Sequence, residues 1–292
     1  MPHDSRGLFK RLANLYFAWK NKADINHITG DIHFLAFALP RKNTILTIHD
    51  CGTVVRLKGI KLLTFTLLWL KWPCRRVDTI TVISEKTKQD VIQLTGVNPD
   101  KIHIIPNYIH KRFTPQSYPT GIDHPHVLQI GTARHKNWIR LAQVMNGNEA
   151  TVTIVGRLKK SEIAYLEKEN LNYSNKFDLT EEELLEEYRN THLVYFASTF
   201  EGFGMPILEA QAMGRPVVTS NISPMKEVAG EGAALVNPYL QSEIRNMIMN
   251  ILLNEDIRKQ LINQGYENVK RFTPELVANE YMALYKKIML SD

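Results

Sequence analysis

Two doubly wound α/β domains are what the 292-residue chain predicts, on three observations. Short β-branched runs alternate with helical patterns, which calls for parallel sheets covered by helices on both faces. The alternation breaks once, at the proline-rich and polar stretch RFTPQSYPTGIDHP (112–125), and then restarts. The length suits two domains of moderate size, and no repeat at solenoid periods competes with that division.

The elements follow in order. Residues 7–22 read as a basic amphipathic helix, with Leu8, Leu12, Leu15 and Trp19 at helical spacing. Two apolar runs come next, DIHFLAFAL (31–39) and NTILTIHD (43–50); the second is β-branched and reads as a buried strand. Residues 56–72 read as a helix that Pro73 stops. DTITVIS (78–84) is a strand, SEKTKQDVIQLTG (84–96) a helix with Ser84 as N-cap and Gly96 near the C-cap, and KIHIIPN (101–107) a third strand. Beyond the linker, HVLQIG, ATVTIVG, HLVYFAS and PVVTS are strands with helices between them, and NKFDL (175–179) adds a short one. The acidic DLTEEELLEEY (178–188) reads as a solvated helix, with Thr180 as N-cap and Glu183 in capping-box register.

Composition bounds the function. With 44% hydrophobic and 23% charged residues the chain is ordinary and globular, not disordered. Cys51 and Cys74 give neither a disulfide framework nor a metal-ligand spacing, and they point to a reducing compartment. The opening MPHDSRGLFKRL lacks the apolar core of a signal peptide. The run LLTFTLLWL (62–70) falls short of the roughly 18 apolar residues of a spanning helix, so a cytoplasmic protein is expected. A net charge of +6 and a pI near 9.1 admit nucleotides, acidic membranes and nucleic acid as partners. No nucleic-acid-binding motif accompanies the charge, and no nucleic-acid partner is expected. In 56–76, Arg56, Lys58, Lys61, Lys71, Arg75 and Arg76 flank an apolar centre holding Trp69 and Trp72. That pattern fits an interfacial helix docked on anionic lipid at the inner membrane face, or a core helix with basic ends.

The stretch ASTFEGFGMPILEAQAMGRPVVTS (197–220) carries the chemistry. A buried strand runs into a glycine-rich turn and then a helix from about Pro206 to Met213, with Pro206 suited to its first turn. Ligands of parallel sheets sit beyond the carboxyl ends of the strands, so Glu201 stands at a mouth. The glycines let the backbone of 202–205 present N–H groups to an anion or a sugar hydroxyl, and the helix N-terminus behind favours negative charge. Glu209 lies near the end of the first helical turn, where it points back to the same mouth. Two carboxylates there can accept hydrogen bonds from vicinal hydroxyls. Blander roles compete: a solvated loop acid for Glu201, a helix-dipole acid for Glu209, a surface lysine for Lys136, a core histidine for His49. A glycosidase needs carboxyls on opposite sides of the scissile bond. Glu201 and Glu209 share one loop–helix unit, which favours binding over hydrolysis. No Asp-x-Asp follows a strand and no histidine pair lies at i, i+4 in a plausible context, so no metal is expected.

EGFGMPILE followed by EAQAMGRPVV resembles the retaining nucleotide-sugar glycosyltransferases of the GT-B fold, glycosyltransferase family 4 (glycosyl transferases group 1). TIHD (47–50), VISEKTKQDVI (82–92), KIHIIPNYIHKRFTP (101–115), LQIGTARHKN (128–137) and GAALVNPY (232–239) stand in the family's order. The resemblance implies two Rossmann-like domains facing a cleft. Residues 1–118 would form an acceptor-side domain and 119–273 a donor-binding domain, with a final helix, 274–292, packing back on the first. It implies that Glu201 holds donor-sugar hydroxyls, that Gly202, Phe203, Gly204, Met205 and Pro206 lie against sugar and diphosphate, and that Glu209 binds the ribose. Lys136 would neutralise the diphosphate. The family's partner arginine falls at Thr132 here, with Arg134 as the substitute. His49 would face the donor sugar. The substrate implied is a nucleoside-diphosphate sugar such as GDP-mannose or UDP-glucose, with a sugar or lipid-linked acceptor and no cofactor. The sequence departs from the family at its N-terminal half, which is short: the usual first strand and glycine loop are missing, and only Gly30 stands near that place. The abbreviated acceptor domain leaves open a non-catalytic or partner-dependent subunit, or a peripheral membrane scaffold.

Overall fold

The computed structural model describes residues 1–4, 7–147 and 149–290. The chain divides into two compact units, Met1–Asn107 with Glu275–Asp292, and Tyr108–Pro274. Among the described residues ten strands form two sheets, and every pairing is parallel.

In the first unit β1 (Asn26–Ile28), β2 (Thr44–Ile48), β3 (Thr79–Val82) and β4 (Ile102–Ile104) lie in that order. The register sets Leu46 between Ile28 and Ile80. Every residue of β2 is buried, as a central parallel strand covered on both faces requires. Alternation splits its side chains. Leu46 and Ile48 join Leu35, Leu70, Cys74, Ile80, Val82 and Val91 on one face. Ile45 faces the other way and packs with Ile105 and with Val277, Leu284 and Ile288 of the helix Pro274–Leu290. The C-terminal helix thus covers one face of this sheet; residues 291–292 of the expected final helix lie outside the described residues.

The apolar run 31–39 forms a 3₁₀ turn, His33–Phe37, that buries His33, Phe34, Leu35 and Ala36. Two elements here depart from expectation. The helix Leu8–Lys20 forms as its periodicity predicts, yet its apolar stripe is turned outward. Leu8, Leu12 and Trp19 are exposed, Leu15 alone of that stripe packs against the core, and Asn14 and Ala18 are the buried positions. Asn14 can be buried because its amide exchanges hydrogen bonds with the main chain of His3. Pro73 does not stop the helix expected over 56–72. Helices Gly52–Arg56 and Gly59–Phe65 lead into a π-helix, Thr66–Lys71, and a last turn, Trp72–Arg76, that contains the proline. The wider π turn carries the chain past a residue that has no N–H to donate. The side chain of Arg56 lies outside the described residues.

In the second unit the order is β10-β9-β8-β5-β6-β7, built from β5 (His126–Ile130), β6 (Thr151–Val155), β7 (Tyr173–Lys176), β8 (Leu193–Phe196), β9 (Val217–Ser220) and β10 (Ala234–Val236). The chain winds one way from β5 to β7 and the other way from β8 to β10, so the order reverses between β5 and β8. In an open parallel sheet that reversal opens a crevice at the carboxyl ends of the two strands. The capping box at Thr180–Glu183 and the Ser84 cap form as read from sequence. The proline-rich stretch is stitched onto this unit, and the division after Asn107 falls ahead of the expected boundary at 118. Arg215 is wholly buried and donates to the carbonyls of Ser117 (2.8 Å), Tyr188 (2.8 Å) and Arg189 (3.1 Å). Tyr118 adds a bond from its hydroxyl to the His192 carbonyl, 2.9 Å.

Candidate functional site

The crevice of the second unit is built from two loops. After β5, Gly131 turns the chain at φ +89°, and a 3₁₀ turn, Arg134–Lys136, leads to Asn137 in the left-handed region. A Cβ on Gly131 would stand 3.1 Å from Lys136 Cγ, so the glycine gives the lysine stem room to fold back over the strand end. After β8, residues 197–204 lead into the helix Met205–Ala212, whose N-cap is Gly204 at φ +116° with no side-chain cap. Its first turn therefore keeps the positive end of a helix aimed at the crevice.

Side-chain amides hold the two loops in register. Gln129 is fully buried and donates to the carbonyls of Gly131 (3.1 Å) and Lys136 (3.3 Å). Asn137 donates to the carbonyls of Ala197 (2.9 Å) and Pro238 (2.8 Å), and the Thr199 amide donates to the His135 carbonyl at 2.8 Å. This stitching brings Lys136 Nζ to 2.7 Å from Glu201 Oε1, with the ammonium 4.7 Å from the Phe196 ring centroid. The lysine and glutamate side chains keep only 20% and 12% of their exposure, so little water screens the pair.

Glu209 sits deeper. Tyr188, fully buried, donates its hydroxyl to Glu209 Oε2 at 2.7 Å. Burial raises the carboxyl's pKa above its ordinary value, against the opposing pull of that hydrogen bond and of the Arg112 and Lys136 charges. Lys136 therefore acts on both glutamates. The Phe203 ring is buried edge-on against Phe272, 5.8 Å between centroids, which leaves its main chain as the part that can meet a ligand. Gly202, Met205 and Pro206 are half-buried and Gly204 is buried at the same turn.

Thr132 and Arg134 face a neighbouring cavity of about 580 Å³, which Arg157 and Lys159 also line. The Thr132 hydroxyl is committed to the Arg157 carbonyl at 3.1 Å. Arg134 is exposed and makes no ion pair among the described residues. Sequence reasoning missed Tyr188, Gln129, Arg157 and Lys159. Arg157 was within reach of the rule that singled out Glu201, since it follows the carboxyl end of β6. Tyr188 carried no signal, because only the fold brings its hydroxyl to Glu209. His49 belongs to the first unit, exposed just beyond β2, and its Nε2–H donates to the Thr29 carbonyl at 2.8 Å. Cys51 and Cys74 are buried, and burial pushes both thiols up to about 12, so they stay protonated and unreactive. Among the described residues no group of three or more His, Cys, Asp or Glu side chains can hold a metal ion.

Comparison with known proteins agrees with this architecture. Residues 113–268 match glycosyl transferases group 1, and residues 1–112 match Glycosyltransferase Family 4. The chain is similar to the O-antigen chain mannosyltransferase RfbU of Salmonella typhimurium, 24% identical over 220 residues, 72% of this chain and 61% of that protein. It is also similar to the MMP alpha-(1->4)-mannosyltransferase of Mycolicibacterium hassiacum, 23% identical over 234 residues, 73% of this chain and 55% of that protein. The chain thus spans less than two thirds of either relative's length. The fold is that of the sucrose-phosphate synthase of Thermosynechococcus elongatus, with a TM-score of 0.80 at 18% identity over 97% of this chain and 78% of that one. The fold is GT-B: two α/β Rossmann-like units with parallel sheets.

The raised pKa of Glu209 has a consequence for stability. A carboxyl raised in the folded state binds its proton more tightly there than in the unfolded chain, so its contribution is present at acid pH and lost as pH rises through the folded pKa. Glu209→Gln keeps an acceptor for Tyr188 and removes that loss. Thermal melts across pH should show the variant more stable than the parent at neutral pH, with the advantage vanishing below the ordinary carboxylate range.

Proposed function

The chain belongs to the glycosyl transferases group 1 family, and from that premise we propose that it is a retaining hexosyltransferase, moving a sugar from a nucleoside-diphosphate donor to an acceptor hydroxyl in polysaccharide or glycolipid synthesis. The observation that carries this reading is the Lys136–Glu201 pair, 2.7 Å apart at the carboxyl ends of β5 and β8, beside an uncapped helix N-terminus. An incoming diphosphate takes Lys136 from Glu201, and Arg134 supplies a second cation. The helix Met205–Ala212 adds its dipole. Glu201, released, accepts hydrogen bonds from the donor sugar. The main chain from Gly202 to Pro206 lies against sugar and diphosphate, and Glu209, oriented by Tyr188, accepts the ribose hydroxyls. His49, in the first unit, keeps the role toward the reacting sugar that the family resemblance gives it.

In the transfer the acceptor oxygen bonds to the anomeric carbon on the face from which the phosphate leaves. The bond from that carbon to the phosphate oxygen breaks, and the leaving phosphate takes the acceptor's proton. No protein nucleophile is needed. The charge growing on the phosphate is met by Lys136 and Arg134, donors already in place before the reaction. RfbU and the Mycolicibacterium protein are named mannosyltransferases, which supports a mannosyl donor such as GDP-mannose over UDP-glucose.

A docking role for the first unit's helices belongs to the same reading. No helix among the described residues is long and apolar enough to cross a membrane. Leu8, Phe9 and Trp19 on one helix and Ile60, Leu63, Leu68 and Trp72 on the segment 59–76 are exposed, and neither 7–22 nor 52–77 contains an acidic residue. Lys10 pairs with Asp4 outside the helix, and apolar side chains interleaved with the remaining cations suit an anionic lipid surface, at roughly 1 kcal/mol per cation near it. The acceptor would then be lipid-linked and the protein peripheral on the cytoplasmic face.

Two measurements test the reading. In a panel of nucleotide sugars, the true donor at about 100 times its Kd should stabilise the protein by about 2.7 kcal/mol. Lys136→Met should remove that shift and lower kcat/KM for transfer about 100-fold or more. Absence of a shift with every donor contradicts the transferase reading; binding without turnover marks a partner-dependent subunit. For docking, vesicles with phosphatidylglycerol should co-sediment the protein and neutral vesicles should not. Replacing Lys58, Lys61, Lys71 and Arg75 by Gln should release it, and equal binding to both vesicle types contradicts docking by charge.

A further inference from the structure

The helix Pro274–Leu290 seals one face of the first sheet with Val277, Leu284 and Ile288, and beside that buried stripe it carries a second one. Leu276, Glu280, Ala283, Lys287 and Leu290 recur at alternating intervals of four and three, the spacing that holds side chains on one seam of a helix packed along another helix. All five are exposed, Leu290 at 87% and Leu276 at 46%. A single exposed leucine is ordinary. The order of these five is not, because it reads the same in both directions once the charges are exchanged: leucine, acid, alanine, base, leucine.

Such an order is self-complementary. When the helix lies antiparallel on a copy of itself with the two-fold axis at Ala283, Leu276 meets the partner's Leu290 and Glu280 faces the partner's Lys287. The two alanines meet at the centre, where small side chains let the helix axes approach. A parallel pairing would set glutamate on glutamate and lysine on lysine, so the charges select the antiparallel one. The sheet edge supplies a second reason for a cover. Among the described residues β4 pairs with β3 alone and so ends the sheet. The Ile105 N–H donates to the Val82 carbonyl at 2.9 Å, and main-chain groups of a strand alternate in direction, so those of Ile104 point to the open side. The Ile104 side chain is 39% exposed. A groove of about 530 Å³ follows this edge, lined by His103, Ile104, Glu280, Ala283, Leu284 and Lys287. Glu280, Ala283 and Lys287 belong to the seam, so a helix laid along the seam also roofs the open edge, a cover that keeps an edge strand from pairing with other chains.

We infer that the chain associates with a second copy of itself through the helix Pro274–Leu290, antiparallel across a two-fold axis at Ala283. The leucines at the two ends of the seam bury apolar surface, and the reciprocal pairs of Glu280 with the partner's Lys287 set the register. The seam lies in the first unit and uses none of the residues given roles toward donor or lipid, so the inference stands apart from the transferase reading.

Sedimentation equilibrium of the full chain over a concentration series tests it, and a monomer–dimer equilibrium is expected. Glu280→Lys makes both reciprocal pairs repulsive and should raise the dimer's dissociation constant about tenfold. Glu280→Lys combined with Lys287→Glu should restore the parent's value, since opposite charges again face each other. Ala283→Cys should cross-link to its copy under mild oxidation, a product that the buried Cys51 and Cys74 of the parent do not give. Glu280, Ala283 and Lys287 are exposed, so these variants keep the parent's melting profile. A chain that stays monomeric at its highest soluble concentration overturns the inference. So does a dimer that Glu280→Lys leaves unchanged, or one that the charge exchange fails to restore. A monomer whose Ala283→Cys variant loses binding to phosphatidylglycerol vesicles would assign the seam to lipid and overturn it as well.

Discussion

The crevice of the second unit is organised around one ion pair, Lys136 with Glu201, and around what keeps it in place. A surface pair of this kind is worth under about 1 kcal/mol, and a buried one can cost more in desolvation than it returns. Its value is positional. Lys136 is delivered by a turn that needs Gly131 to be a glycine, and Glu201 by a loop that enters a helix at Gly204. The bonds from Asn137 to Ala197 and Pro238, and from Thr199 to His135, fix one loop against the other. A cation and a carboxylate are therefore already aligned at the point where the strand order reverses, and in the proposed function a diphosphate would exchange partners with Lys136.

The second unit carries a desolvation cost at this site. Glu209 is buried deeply enough to raise its pKa, although Tyr188, Arg112 and Lys136 all work to keep it ionised. A carboxylate held that way is poor for stability and good for receiving hydroxyl donors. Arg215 does the reverse: its buried guanidinium spends its donors on main-chain carbonyls and locks the proline-rich entry segment to the unit. The first unit divides its labour by face. One side of its sheet is sealed by the helix Pro274–Leu290, and the turns after β1 and β2 give a cavity its polar lining.

Much of this was legible in the sequence, for identifiable reasons. Parallel strands buried on both faces are near-continuous β-branched runs, and TILTI, TVTIV and LVYF announce themselves. Caps are local, so Ser84, Thr180 and Glu183 were readable from spacing alone. Glu201 was singled out by the strand-end rule, which needs only the order of elements, and Lys136 by the family resemblance. What was not legible is non-local or depends on orientation. The helix Leu8–Lys20 was foreseen but not the outward turn of its stripe, because periodicity gives a face and not its direction. Pro73 was read as a stop, since nothing in the sequence marks a π turn ahead of it. Tyr188 reaches Glu209 only through the packing of two helices. The prolines of 112–125 look like a free linker in the sequence, and only the fold shows Arg215 holding Ser117.

The central claim is that Lys136 trades Glu201 for the donor diphosphate. Titration calorimetry of Glu201→Gln with GDP and UDP, alongside its transfer kinetics, tests it most directly. If the exchange occurs, removing the charge on Glu201 frees the lysine, and affinity for the bare nucleoside diphosphate rises several-fold. Transfer from the nucleotide sugar falls about 100-fold at the same time, because the sugar loses its acceptor. A parallel loss of nucleoside-diphosphate affinity and of transfer would contradict the exchange and make the pair a fixed strut.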